Sequence, residues 1–207
     1  MNSDPGIAGI ILAAGASSRM GSPKALLTYR GETFLNRLIR ILSSVCHPVI
    51  VVLGYHADAI RAQTTQGAAQ FIVNPDPERG QLSSLQTALA AVPEDSSGFL
   101  FVPVDSPAAE PETLDRIARE FVDRGPKTLL VVPQFRGKHG HPVCAAPSIR
   151  TELLVLPPAG QAREVIHAHR PETRYIDVDD PGILTDVDLP EEYLRLTGSG
   201  IQAGVVK

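Results

Sequence analysis

The sequence predicts an α/β protein: a three-layer α/β/α sandwich built on a doubly wound, mostly parallel sheet. Short aliphatic runs alternate with longer amphipathic segments, and several of these runs are apolar at consecutive positions. The alternation is typical of βαβ units, and a strand covered on both faces needs apolar side chains throughout. Ligands of such sheets bind beyond the carboxyl ends of the strands, so the residues there are the first functional candidates.

The individual elements follow from the spacing of apolar residues. Strands are predicted at residues 7–13, 49–53, 70–73, 99–104, 128–132, 141–145 and 174–178. Apolar residues at three- and four-residue spacing predict a helix over 33–45, and further helices are predicted at 58–63, 84–91, 112–124 and 164–169. Residues 133–156 carry few helical features and include a Gly-Lys-His-Gly turn, so we expect a hairpin excursion from the sheet.

Length and charge limit the kind of protein. The chain has 207 residues, which fits one domain, predicted over 1–196, followed by a frayed tail at 197–207. Its 19 Lys and Arg against 23 Asp and Glu give a net charge of −4. That balance offers no electrostatic footprint for a nucleic acid or an acidic membrane surface, so we expect a small-molecule ligand.

Cysteine usage and hydropathy indicate the compartment. Two cysteines without a CxxC pair are too few for a disulfide framework, so we expect a cytoplasmic protein. No apolar run reaches the roughly 18 residues needed to span a bilayer. Asp4 and Pro5 stand where a signal peptide would need positive charge, so residues 7–14 are interpreted as a buried strand.

The segment directly after the first strand, LAAGASSRMGSPK at residues 12–24, is the strongest functional feature. Small residues and glycines let backbone N–H groups form a cradle for phosphate oxygens. Arg19 adds a planar fork that can hold two phosphate oxygens, and Lys24 adds a compact cation for a leaving pyrophosphate. The alternative is a plain Gly/Ser turn with exposed basic residues. The predicted nucleotide-binding residues of this loop are Leu12, Ala13, Ala14, Gly15, Ala16, Ser17, Arg19, Met20, Gly21 and Lys24.

Two familiar phosphate-binding motifs are absent from the loop. A P-loop needs a glycine five residues after Gly15, where Met20 stands, and Lys24 lies three residues past Gly21. The dinucleotide fingerprint GxGxxG fails because Ser17 takes the place of its second glycine. A dehydrogenase is therefore the least favoured enzyme class.

Acidic residues at two later places are candidate Mg²⁺ ligands, because Mg²⁺ usually takes one or two carboxylates together with substrate phosphates and water. Asp105 ends the apolar strand predicted at 99–104, although it could instead cap the following turn. Asp186 and Asp188 lie two residues apart, so on an extended segment both point to one side. The alternative for Asp188 is a helix start ahead of Pro190.

The loop resembles the LAAGxSxRMGxxK signature of the MobA-like nucleotidyltransferases, and in particular the molybdenum cofactor cytidylyltransferase branch. The resemblance implies a nucleotide-diphospho-sugar transferase-like, Rossmann-like fold and Mg²⁺-dependent transfer of an NMP, in that branch CMP from CTP. The implied acceptor is a phosphorylated small molecule of molybdopterin type, and a molybdoenzyme or its chaperone is an implied partner. Lys24, Arg19 and Asp105 would be catalytic, with Asp188 as a direct metal ligand and Asp186 in support.

Further segments share the resemblance. Asn74, Gly80, Ser83 and Ser84 fall in a segment similar to the family's NPxxxxGxxxSL, which helps enclose base and ribose. Ser83 also fits a helix N-cap with Gln86 as its capping-box partner, and both interpretations stay open. The Ser-Ser-Leu form resembles the cytidylyl more than the guanylyl branch.

The acceptor side carries both a match and a departure. His141 belongs to a Gly-His-Pro motif that in the family lies on the acceptor side, against the alternative of a structural turn. Arg163 ends the stretch PAGQAR, where relatives carry GDxGAR, so the identity of the acceptor stays open. Two alternatives to the molybdopterin reaction follow: transfer to a sugar or polyol phosphate, and a non-catalytic nucleotide-binding accessory protein.

Overall fold

A computed structural model describes residues 6–65, 67 and 69–199. Most of the predicted tail falls on residues 200–207, which lie outside the described residues, whereas residue 197 still belongs to the last helix. The strands are β1 (Ile7–Ala13), β2 (Thr28–Tyr29), β3 (Glu32–Thr33), β4 (Val49–Leu53), β5 (Ala69–Val73), β6 (Gly98–Pro103), β7 (Leu130–Phe135), β8 (Lys138–His139), β9 (Val143–Ala145) and β10 (Thr173–Asp177). The helices are α1 (Phe34–Leu42), α2 (Ala57–Gln63), α3 (Gln81–Ala91), α4 (Pro111–Val122), α5 (Pro147–Val155), α6 (Ala162–Ala168) and α7 (Pro190–Thr197).

The main sheet has the order β10-β7-β9-β6-β1-β4-β5, with β8 pairing on the end of β7. The pairs β1–β4, β1–β6, β4–β5 and β7–β10 are parallel. β9 runs antiparallel to both of its neighbours, β6 and β7. The predicted mostly parallel sandwich is therefore confirmed.

Helices cover both faces of the sheet, which explains why every residue of β1 is buried. Ile7 and Ile11 of β1 pack in one apolar cluster with residues of α1 and α4. Ile10 and Leu12 pack on the other face with residues of α3, α5 and α6. Because successive side chains of a strand point to opposite faces, apolar residues at every position are needed to fill both layers.

The chain leaves β1 in two directions, and this reversal positions the site. The sheet grows from β1 through β4 to β5, and then α3 carries the chain back to β6 on the other side of β1. The carboxyl ends of two parallel neighbours, β1 and β6, therefore lie side by side at the point where strand order reverses. In doubly wound sheets this switch point opens a crevice for ligands.

Two local predictions were wrong. Residues 147–155, for which no helix was predicted, form α5. Only Ile149 and Leu153 of this helix are buried, whereas the apolar Leu154 and Val155 are exposed, so its apolar residues do not follow the helical period. Pro147 at the first turn was the available indication. Ser83 is not an N-cap: α3 begins at Gln81, two residues earlier. The predicted hairpin is confirmed by the antiparallel pair β7–β8.

Candidate active site

A cleft of about 320 Å³ lies beyond the carboxyl ends of β1 and β6. Asp105 and Asp188 line it from two segments far apart in sequence. The residues of the predicted nucleotide-binding set that line this cleft are Leu12, Ala13, Ala14, Gly15, Ala16, Ser17, Arg19, Lys24, Gly80 and Ser84.

The loop after β1 is folded on itself by its own polar groups. Ser17 has a positive φ of 52° and Gly21 one of 68°, which turn the chain twice. The Ser17 hydroxyl oxygen accepts a hydrogen bond from the Lys24 backbone N–H at 3.0 Å, and the Ser17 carbonyl accepts from the Met20 N–H at 2.9 Å. The Met20 side chain is buried in the core and does not line the cleft, so it anchors the loop.

Gly15 leaves room inside the cleft. A Cβ added there would meet no described protein atom within 4 Å, so close packing against the protein does not require a glycine at this position. A bare backbone facing open space in the cleft lets a ligand approach the chain closely.

Lys24 is the centre of the charged end of the cleft. Its ammonium donates to Asp105 Oδ2 at 2.8 Å and to Asp188 Oδ1 at 2.5 Å. Arg19 Nη2 lies 3.3 Å from the same Asp188 oxygen. Two acidic segments and the cationic loop, separated along the chain, thus converge on one point.

Burial and neighbouring charges shift the pKa values of Lys24 and Asp188 in opposite directions. Burial lowers the pKa of Lys24, but the hydrogen bonds and negative charges of Asp105 and Asp188 outweigh it and raise that pKa above its usual value. The hydrogen bond from Lys24 is also the main cause of the lowered pKa of Asp188, and Arg19 contributes its charge. Lys24 and Asp188 are therefore both ionised at neutral pH.

Asp186 lies in the same segment as Asp188 but has a different partner. Its Oδ1 accepts a hydrogen bond of 2.5 Å from the hydroxyl of Ser106, a buried residue next to Asp105. The Val187 N–H donates to the Asp105 carbonyl at 2.9 Å, which fastens the two acidic segments together. Asp186 does not line the cleft and makes no ion pair to the described residues.

Asn74, Ser83 and Ser84 form a buried hydrogen-bond network at the start of α3. The Asn74 amide donates to the hydroxyls of Ser83 at 2.9 Å and Ser84 at 3.1 Å. The Ser83 hydroxyl in turn lies within donating distance of the carbonyls of Asp76 and Gly80. Of the three side chains only Ser84 reaches the cleft, so Asn74 and Ser83 hold the wall in place.

A second pocket of about 380 Å³ adjoins the first. Leu12, Gly80 and Gln81 line both, so they form a shared wall. Arg163 lines the second pocket, together with the PAG stretch at 158–160.

His141 lines neither of these two pockets. Its ring meets Phe101 edge-on with 6.4 Å between centroids, and its backbone N–H donates to the Ile183 carbonyl at 3.0 Å. Burial lowers the pKa of His141, opposed by the charges of Asp186 and Asp105.

The sequence comparisons agree with this arrangement. A model of the MobA-like NTP transferase domain matches residues 9–173. The chain belongs to the MobA-like NTP transferase family. It is a nucleotidyltransferase, and the family match extends from the first strand to the start of β10.

Three curated relatives show the spread of the family. Nicotine blue oxidoreductase of Paenarthrobacter nicotinovorans is 30% identical over 199 residues, 93% of this chain and 97% of the relative. Molybdenum cofactor cytidylyltransferase of Escherichia coli is 26% identical over 186 residues, 89% and 92% of the two chains. Molybdenum cofactor guanylyltransferase of Sinorhizobium fredii is 36% identical over 99 residues, which is only 47% and 45% of the two chains.

Solved structures support the same fold. The protein Rv0371c of Mycobacterium tuberculosis superposes with a TM-score of 0.83 at 33% identity, covering 95% of this chain and 100% of that one. A complex of Rv0371c with manganese matches with a TM-score of 0.76 at 30% identity, over 94% and 99% of the two chains. Relatives of this MobA-like transferase therefore include one that takes a divalent cation.

The acidic residues of the cleft fit a divalent cation. One carboxylate oxygen of Asp105 and one of Asp188 accept hydrogen bonds from the same Lys24 ammonium. These two oxygens are therefore close enough together to bind a single cation. In the described part of the chain, three or more His, Cys, Asp and Glu side chains nowhere come together as a metal site. Two carboxylates, those of Asp105 and Asp188, are enough for Mg²⁺, because substrate phosphates and water usually fill its other coordination positions.

Sequence reasoning missed several residues of this transferase's cleft. Ile60 comes from α2 and Pro77 from the segment before α3, and Gln81 stands in the wall between the pockets. Neither Ile60 nor Gln81 belongs to a charged or glycine-rich pattern, so nothing in the sequence distinguishes them. Ser106 directly follows Asp105, and this adjacency was the one available indication of its role.

None of the described helices has the length and apolar character required to traverse a bilayer.

Proposed function

We propose that this protein transfers CMP from CTP to a phosphorylated acceptor of molybdopterin type, with Mg²⁺, and releases pyrophosphate. The observation that carries the proposal is the convergence of Lys24, Asp105 and Asp188 beside a loop of small residues. A cation and two carboxylates at the end of a backbone cradle suit a metal-bound triphosphate better than any uncharged ligand.

The chain's own residues would act by positioning and charge. Arg19 and Lys24 would hold phosphate oxygens while the loop amides donate to them, and Asp105 and Asp188 would hold the metal. Mg²⁺ would neutralise charge on the triphosphate and the departing pyrophosphate. Asp186, fixed by Ser106, would support the position of Asp188.

The reaction is an in-line displacement. An oxygen of the acceptor phosphate forms a bond to the α-phosphorus of CTP while the bond to the bridging oxygen of the β-phosphate breaks. A phosphate monoester is already ionised at neutral pH, so no side chain has to remove a proton. Catalysis then depends on holding the two substrates in line.

The acceptor would bind on the side of the second pocket. That pocket shares a wall with the nucleotide cleft, and Arg163 offers its guanidinium to an anionic group. Ala159 stands where relatives carry an aspartate in the GDxGAR segment, so one carboxylate is missing from this side. His141, which lies close enough to Asp105 and Asp186 to feel their charges, would also serve the acceptor.

CTP is favoured over GTP by two observations. The cytidylyltransferase of E. coli aligns over 89% of this chain, whereas the S. fredii guanylyltransferase aligns over 47%. The Ser-Ser-Leu sequence at 83–85 follows the cytidylyl form. The free cysteines agree with a cytoplasmic enzyme. Such an enzyme would hand its product to a molybdoenzyme or its chaperone.

The test is release of pyrophosphate from CTP, GTP, ATP and UTP, each with molybdopterin, a sugar phosphate and a polyol phosphate. We expect release with CTP and molybdopterin only in the presence of Mg²⁺. Release with a sugar or polyol phosphate alone would reassign the acceptor. Nucleotide binding without release under any condition would instead make the protein an accessory that binds nucleotide.

One relative favours a second function. The similarity to nicotine blue oxidoreductase, over 93% of this chain, supports an oxidoreductase activity as a second candidate, although the loop after β1 lacks the GxGxxG fingerprint. The same samples, incubated with reduced nicotinamide cofactors and a quinone-like dye, test it. Consumption of the cofactor at rates above that of pyrophosphate release would favour the oxidoreductase.

A further inference from the structure

The place between Asp105 and Asp188 is already taken by a cation of the protein. The Lys24 ammonium touches one oxygen of each carboxylate, at 2.8 Å and 2.5 Å, and its side chain is only 12% exposed. Arg19 adds a second positive charge 3.3 Å from the same Asp188 oxygen. Two negative and two positive charges therefore cancel within this group of four residues.

A divalent cation that binds alone would have to compete with these groups. It would need the carboxylate oxygens that Lys24 holds, and the displaced ammonium, tethered at the end of its loop, would stay close enough to repel it. Inside a partly enclosed cleft this repulsion is weakly screened. Binding of the metal by itself is therefore opposed.

A bound triphosphate relieves the competition between the divalent cation and the positive charges of Lys24 and Arg19. Its phosphates offer Arg19 and Lys24 several negative charges on the loop side of the cleft, and both side chains are long enough to turn from carboxylate to phosphate. Once they do, Asp105 and Asp188 are left without a partner and present two free carboxylates. The exchange frees the metal site only when the nucleotide is bound.

We propose that Lys24 is an internal counter-ion that makes binding of the divalent cation conditional on the nucleotide. This inference rests on the proposed function for the identity of the nucleotide, but the competition between ammonium and metal does not. Because the coupling is a free energy shared by two sites, the metal must strengthen nucleotide binding by the same factor by which the nucleotide strengthens metal binding.

The test measures Mn²⁺ binding without catalysis, from the loss of the free-ion signal in electron paramagnetic resonance. Three proteins are compared without nucleotide: wild type, Lys24→Met, and Lys127→Met as a control that removes an exposed lysine. We expect Lys24→Met to bind Mn²⁺ at least tenfold more tightly than wild type, and Lys127→Met to match wild type. Equal affinity of Lys24→Met and wild type would overturn the proposal.

Two further arms locate the site and separate the claims. The double variant Lys24→Met, Asp188→Asn should lose the gained Mn²⁺ affinity, and retention of that affinity would refute the assigned position. Wild type with a non-hydrolysable α,β-methylene analogue of CTP should bind Mn²⁺ at least tenfold more tightly than without it, beyond the Mn²⁺ held by the analogue alone in a protein-free sample. No such gain with this or the corresponding GTP analogue would also refute the proposal. Circular dichroism checks that each variant is folded.

The proposed function can fail independently. Absence of pyrophosphate release with every acceptor, together with the expected Mn²⁺ pattern, would refute only the proposed transfer reaction. The role of Lys24 as a counter-ion would still be supported.

Discussion

Replacing Gly140 by alanine tests whether the close contact behind the acidic segments is needed. A Cβ at this position would overlap the carbonyl oxygen of Ile183 and lie 2.6 Å from its carbonyl carbon. Carbon atoms prefer about 3.5–4.0 Å, so the two segments would have to separate by roughly 1 Å. Both obstructing atoms are backbone and cannot turn aside as a side chain does.

The cost follows from this overlap. Overpacking of a well-packed site costs about 1–3 kcal/mol, and at this chain length 1 kcal/mol lowers the melting temperature by about 2–4 °C. We therefore expect Gly140→Ala to lower the thermal midpoint, followed by circular dichroism, by roughly 4–8 °C for about 2 kcal/mol. Activity at a temperature where the variant stays folded should fall as well, because Ile183 leads directly into the segment that carries Asp188.

Gly125→Ala is the matched control, because a Cβ there would meet no described atom within 4 Å. We expect it to melt and react like wild type. A Gly140→Ala variant indistinguishable from this control in both measurements would show that the Gly140–Ile183 contact does not position the acidic segment.

Further outcomes are expected elsewhere in the molecule. Lys24→Ala should lower pyrophosphate release by about two orders of magnitude or more with the fold intact, and near-normal turnover would remove Lys24 from the mechanism. Gly15→Val should keep the circular dichroism spectrum but weaken CTP binding by at least about tenfold in calorimetry, about 1.4 kcal/mol, because its side chain fills the cleft; unchanged affinity would place the nucleotide elsewhere. Ser106→Ala should raise the Mg²⁺ concentration needed for half-maximal activity while Ser106→Thr restores it, since Thr keeps the hydroxyl that holds Asp186; equal Mg²⁺ dependence of the two variants would contradict this. Cys46 and Cys144 are buried, and burial raises the pKa of Cys46 to about 12, so neither thiol should react with Ellman's reagent at mildly alkaline pH until guanidinium unfolds the protein; prompt reaction of the native protein would contradict their burial.

The charged end of the cleft could be predicted because it depends on local features of the chain. A glycine-rich loop after one strand and a carboxylate after another must meet if the strands are parallel neighbours. Lys24 and Asp105 satisfy this rule, and the convergence with Asp188 followed from family resemblance.

The remaining parts depend on contacts that the local sequence does not encode. Apolar spacing predicts a strand at residues 141–145 but not that β9 runs antiparallel between β6 and β7. The hydrogen bond from Ser106 to Asp186 joins residues 80 positions apart. The wall provided by Gln81 depends on where α3 begins, and Ser83 as N-cap would have placed that start at Ser84, three residues too late.

The partners of Lys24 stand 81 and 164 positions further along the chain. A chain emerging from the ribosome therefore presents its phosphate-binding loop 164 residues before the second of these carboxylates. In a refolding experiment, recovery of turnover would time the docking of the segment that carries Asp188, whereas far-ultraviolet ellipticity would already have returned with the sheet and its helices.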